Sequence, residues 1–144
     1  MSKYILVTNN PKVKEKYENK NIDILFKESI EKIFKTVRDY IHEGSILVSH
    51  PLAGSVKPFQ NPYRSIILRE GNILDFNSLK TYENSFEKYQ QFRDKKKDKE
   101  SLPDHILIDY QVIDLSLIES ALQSINLDWL NNIKWEVIKN DRVK

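Results

Sequence analysis

Apolar residues recur along this chain at two spacings, and the alternation between them predicts strands and helices in turn. Tyr4-Ile5-Leu6-Val7 is an unbroken apolar run of β-favouring type, the pattern of a strand covered on both faces. It stops at Thr8-Asn9-Asn10-Pro11, where an asparagine cap and a proline at the first helical position predict a helix over 11–17. Ile22 to Phe26 reads as a second strand. Ser29 then opens a helix that carries Ile30, Ile33, Phe34, Val37 and Ile41 on one face and runs up to Gly44. Ile46-Leu47-Val48 is a third strand, and Ser65-Ile66-Ile67-Leu68 a fourth, closed by a turn at Gly71-Asn72.

Asp75 caps the next helix, in which Phe76, Leu79, Tyr82, Phe86, Tyr89 and Phe92 form an apolar stripe. Core packing is the favoured reading of that stripe, because a base-stacking platform needs basic residues interleaved on an exposed face. After Pro103, Ile106-Leu107-Ile108 reads as a further strand. A final helix carries Leu115, Ile118, Leu122 and Ile125, capped by Asp114 or Ser116, with Ser116 and Glu119 at capping-box spacing. Trp135, Val137 and Ile138 alternate as an edge strand, which leaves room for a homodimer by edge pairing. Strands alternating with helices predict an α/β fold: one domain over 1–144, a three-layer αβα sandwich around a mostly parallel, Rossmann-like sheet.

Composition narrows the chemistry. At 144 residues the chain fits one domain. It has no cysteine, so disulfides, thiolate metal sites and cysteine nucleophiles are excluded. Its apolar runs are too short for a signal-peptide core or a membrane span, and a cytoplasmic location is expected. Basic and acidic residues number 23 and 21, for a net charge of +2, which is too balanced for a nucleic-acid signature. The run Arg93 to Glu100 mixes both signs and reads as a solvated helix end or a mobile linker rather than a polyanion patch. His42, His50 and His105 lack ligand spacing, so no metal is expected, and no sequence signal calls for a cofactor.

What stands out is the stretch S-H-P-L-A-G-S-V-K-P-F-Q-N-P-Y-R-S, Ser49 to Ser65, which holds three of the five prolines and one of the three glycines. Such a cluster specifies a shaped loop, and shaped loops on rigid scaffolds are where binding and catalysis concentrate. In open α/β sheets, ligands bind beyond the carboxyl ends of the strands. That rule pairs this loop with Thr8-Asn9-Asn10, at the start of a helix whose dipole favours an anion. The candidate ligand-binding residues are therefore Thr8, Asn9, Asn10, Ser49, His50, Gly54, Ser55, Lys57 and Arg64. Asn9 and Asn10 would offer amides, and Lys57 and Arg64 positive charge, to a carboxylate or phosphate. For Asn10 a capping role is favoured, and for the two basic residues ordinary surface charge weighs against the functional reading. His50 is the candidate general acid or base, although a histidine bonded inside its own loop fits the sequence equally well. Gly54-Ser55-Val56-Lys57 matches neither a nucleophile elbow nor a phosphate-binding P-loop.

The segments T-N-N-P-K-V-K-E-K-Y, Thr8 to Tyr17, and Ser49 to Ser65 together resemble the GrdX family, with the resemblance strongest from Tyr4 to Leu68. These small proteins are encoded with the glycine, sarcosine and betaine reductase components of anaerobic amino-acid fermenting bacteria. The resemblance implies that genomic context, and together with the shaped loop it leads to the expectation of an accessory or regulatory protein of the glycine reductase system that binds a small anionic metabolite or a partner component. It carries no catalytic residue over to this chain. The alternative is a small enzyme acting on a phosphorylated or carboxylated substrate, with His50 as acid or base.

Overall fold

A computed structural model of the chain describes residues 3–52, 60–95 and 99–125. Four strands, β1 (Tyr4–Thr8), β2 (Asp23–Phe26), β3 (Ile46–Leu47) and β4 (Ser65–Arg69), form one sheet in the order β2-β1-β4-β3. The helices are α1 (Pro11–Tyr17), α2 (Ile30–His42), α3 (Phe76–Phe92) and α4 (Asp104–Ser124), with short 3₁₀ turns at Arg93–Lys95 and Lys99–Ser101.

The sheet is mixed, which corrects the expectation of a mostly parallel, Rossmann-like one. β1 pairs in parallel with β2, Ile5 opposite Asp23 and Thr8 opposite Phe26. It pairs antiparallel with β4, Tyr4 opposite Arg69 and Thr8 opposite Ser65, and β3 pairs antiparallel with β4 as well. The physical reason is the connection. Parallel neighbours need a long crossover, usually a helix, and α1 supplies one between β1 and β2. Among the described residues, none of the β3–β4 connection is helical, and the chain re-enters the sheet beside β1 in the opposite sense. One part of the topological expectation survives. β1 and β3 point the same way, toward the edge where β4 begins; β1 reaches it, with Thr8 opposite Ser65, and β3 stops short, with Leu47 opposite Leu68.

The alternation of side chains along β1 and β4 builds an apolar cluster on each face. On one, Ile5, Val7, Ile66 and Leu68 meet Ile33, Phe34, Val37 and Ile41 of α2 and Tyr82 and Tyr89 of α3. Phe34 lies 5.1 Å from the Tyr89 ring and 5.7 Å from Phe86, so the aromatic stripe of α3 is core along most of its length. On the other face, Leu6 and Ile67 meet Val13 and Tyr17 of α1 and Ile118 and Leu122 of α4. The molecule is thus an α/β domain with helices packed on both sides of a four-stranded mixed sheet.

Local signals explain most helix ends. Asn10, Ser29 and Asp75 each accept a backbone N–H of the helix they open, those of Lys12, Lys32 and Ser78. Gly44 ends the α2 turn at φ 112°, a conformation open to glycine and strained for other residues. α4 departs from expectation. It begins after Pro103, so Ile106-Leu107-Ile108 is helical rather than a strand, and neither Asp114 nor Ser116 starts a helix. Gln111 and Asp114 lie on the side of α4 that faces the domain, which interrupts the apolar repeat that would have identified one long helix. The strand expected at Trp135 to Ile138 lies outside the described residues. Among the described residues, no helix is long and apolar enough to cross a membrane.

Candidate functional site

The edge where β1 ends and β4 begins holds four of the sequence-predicted residues, Thr8, Asn9, Asn10 and Arg64. Their chemistry is turned inward. Thr8 and Ser65 face each other across β1 and β4, with their hydroxyl oxygens 2.6 Å apart. The Asn10 backbone N–H donates to Thr8 Oγ1 at 3.0 Å, and Ser65 Oγ donates to Asp114 Oδ2 at 2.6 Å. Because the Ser65 proton is directed at Asp114, the proton between the two hydroxyls comes from Thr8. The result is a buried relay from the Asn10 amide through Thr8 and Ser65 to the Asp114 carboxyl, in which each bond polarises the next.

Asn10 closes the relay on its other side. Its Oδ1 accepts from Lys12 N, while its Nδ2 donates to Gln111 O at 2.9 Å and to Asp114 Oδ2 at 3.0 Å. Cap and helix–helix tie are the same side chain. α1 is only seven residues long and the Lys12 amide is taken, so the expected anion-binding helix start is largely consumed by the fold.

Asn9 ties the returning limb of the β3–β4 loop to β1. Its Nδ2 donates to Pro62 O at 2.9 Å, its Oδ1 accepts from Arg64 N at 2.8 Å, and its own N–H reaches Arg64 O at 3.3 Å. The same limb is stitched to α4. Asn61 donates to Tyr110 O and accepts from Tyr63 N, and Gln111 Nε2 donates to the Tyr63 hydroxyl at 2.9 Å. Lys99 sits 5.0 Å from the centre of the Tyr63 ring.

Arg64 is buried with Asp114 as its opposing charge. Burial pushes the guanidinium below its ordinary value and Asp114 opposes the shift. Burial likewise raises the Asp114 carboxyl above its ordinary value, against hydrogen bonds from Ser65 and Asn10 and the Arg64 charge. For both groups the loss of water outweighs the partner.

The outgoing limb behaves differently. Ser49 is buried and its hydroxyl accepts from Ile67 N at 2.8 Å. His50 is exposed, and its Nδ1 accepts from Leu52 N at 3.0 Å, which leaves Nε2 to carry the proton of the neutral ring. His50 borders a cleft of about 260 Å³ shared with Ser49, Asp75, Asn77, Ser78 and Thr81. Among its described lining residues are neither Asn9 nor Arg64. The structure therefore brings Thr8, Asn9, Asn10 and Arg64 together as a locked loop neck and places His50 against α3. Gly54, Ser55 and Lys57 lie outside the described residues.

Five residues of the neck were not among those predicted: Asn61, Tyr63, Ser65, Gln111 and Asp114. The available signal was the acid in Ile113-Asp114-Leu115, since a carboxylate inside an apolar stretch calls for a buried partner. Among the described residues, no group of three or more histidine or acidic side chains is placed to hold a metal ion.

A model of the GrdX-like protein family matches residues 5–123. No curated protein and no solved structure matches the chain.

Proposed function

The chain belongs to the GrdX-like protein family, and on that premise we propose that it is an accessory or regulatory protein of the glycine reductase system that recognises a partner component through the β3–β4 loop. One observation carries the choice of a partner over a small anion. The groups an anion would need, the Asn9 and Asn10 amides, are committed to internal hydrogen bonds, and the Arg64 guanidinium is buried beside Asp114. What the described part of the loop offers to the outside includes His50 and its cleft, and Gln60. A loop anchored at its neck loses less conformational entropy on docking than a free one, which favours recognition by surface contact. With no cysteine, the chain cannot itself carry a thioester or exchange a disulfide, so its role lies beside the chemical step.

The test is co-purification of the tagged chain with each reductase component, run alongside melting curves in glycine, sarcosine, betaine and acetyl phosphate. Capture of one component with unmoved melting curves is the expected result. A ligand-dependent rise in melting temperature without capture would transfer the assignment to metabolite binding, and neither response would remove it.

A further inference from the structure

The end of the sheet where β1 begins and β4 ends lies opposite the loop neck, and strand alternation gathers polar side chains there on one face. Lys3 falls on the side of Ile5 and Val7, Asp23 on that of Leu25, Glu70 on that of Leu68 and Ser45 on that of Leu47, the face packed by α2. The strand pairing sets them in a row. Asp23 stands opposite Ile5, the Glu70 backbone N–H donates to Lys3 O at 2.7 Å, and Ser45 directly precedes Ile46, which stands opposite Arg69. All four border one cleft of about 310 Å³, whose apolar lining is Ile5, Leu25 and the body of Tyr40.

The charge of this cleft is unbalanced. Lys3 is paired with Asp23 at 2.8 Å, whereas Glu70 and Glu43, which also lines the cleft, make no salt bridge among the described residues. Glu43 caps the C-terminal end of α2, where the helix dipole favours a cation. Asp23 first, and Glu70 in addition, hold the Lys3 ammonium above its ordinary value, so an ammonium ion is already favoured at this place. Ser45 distinguishes the cleft from an acidic patch of surface. It is 3% exposed, its backbone N–H is taken by Tyr40 O at 2.9 Å, and its hydroxyl has no hydrogen-bond partner among the described residues. A buried hydroxyl left unmatched is costly, and this one borders the cleft, where a ligand N–H can reach it. A metal ion fits poorly, because among the described residues no group of three or more histidine or acidic side chains is placed to hold one. An ammonium group instead directs its N–H donors to separate acceptors. A zwitterion fits poorly too, because its carboxylate would face Glu43 and Glu70 while Lys3 is committed to Asp23.

We propose that this cleft binds a small primary ammonium ion without a carboxylate, held by Glu43 and Glu70 and accepted by the Ser45 hydroxyl. The test is a titration of the isotope-labelled full chain with ethanolamine hydrochloride, followed by amide NMR shifts, beside titrations with glycine and with sodium chloride at equal ionic strength. Saturable shifts at Ser45, Glu70 and Gly71 are expected with ethanolamine alone. Glu70→Gln and, separately, Ser45→Ala should each weaken binding about tenfold. Neither should lower the urea midpoint, because Glu70 is exposed and the Ser45 hydroxyl bonds nothing within the described fold. A Ser45→Ala chain of reduced stability would show that the hydroxyl is bonded inside the fold, and would overturn the proposal. So would shifts that do not saturate, that glycine or sodium chloride reproduces, or that both variants retain at the original affinity.

Discussion

Asn9 holds the neck of the β3–β4 loop with a single amide that serves Pro62 O and Arg64 N at once. Removing it leaves a buried donor and a buried acceptor unmatched, and each such group costs about 1–3 kcal/mol. Asn9→Ala is therefore expected to lower stability in urea by about 2–4 kcal/mol with the denaturant slope unchanged; a loss below about 1 kcal/mol would mean the neck is held elsewhere. Asp114 makes a prediction with a definite sign. Its carboxyl is raised in the folded state, so between the ordinary carboxylate value and the raised one the native chain binds more protons than the unfolded chain. Its contribution to stability is full below the ordinary value and is lost as pH rises through the folded one. Asp114→Ala removes the acceptor of the Ser65 and Asn10 hydrogen bonds, leaves those buried donors unmatched and should cost about 2–4 kcal/mol on the acid side. The gap from the unaltered chain should narrow as pH rises from the acid side toward neutrality, measured by urea titration at each pH. A gap that widens instead would show that Arg64 outweighs burial. At this scale the capping role expected of Asn10 is met, while the long-range ties that Asn9 and Asn10 make were not read. Their partners stand far along the chain, Asp114 being 104 positions from Asn10, and no local pattern reports a contact of that span.

Elements whose identity is written in local chemistry were legible: the apolar repeat of α2, the caps Asn10, Ser29 and Asp75, and all four strands. α4 was not, because its packed side carries Gln111 and Asp114, and the apolar repeat that identifies a helix is broken where those polar groups reach the loop. Strand direction was also beyond reach, since it depends on a β3–β4 connection whose route is set by tertiary contacts. Two junctions test the element-level account. A Cβ at Gly44 would stand 2.7 Å from Asn72 C and Ile73 N at a φ of 112°, so Gly44→Ala should cost about 2–3 kcal/mol in the same assay. Ser78 Oγ accepts Leu47 N at 2.8 Å and donates to Asp75, occupying the outward N–H of edge strand β3, a position that otherwise invites pairing with another chain. Ser78→Ala is expected to cost about 1–2 kcal/mol and to raise concentration-dependent scattering on heating. Unchanged scattering would mean another feature protects that edge.

For the molecule as a whole, the sheet edge was found from sequence by the rule that sites gather beyond strand ends, and that edge is where Thr8, Asn9 and Arg64 meet. Their convergence into a lock rather than an open pocket is what the rule could not supply. Burial of these groups anchors the neck of the loop, and recognition is proposed for the rest of it. Once a reductase component is captured, its affinity can be titrated against the unaltered chain and a variant with residues 53–59 replaced by a Gly-Ser stretch of equal length. Unfolding is expected within about 0.5 kcal/mol of the original, because the neck contacts remain, together with a loss of affinity of tenfold or more, about 1.4 kcal/mol. Equal affinity for the two chains would contradict that proposal.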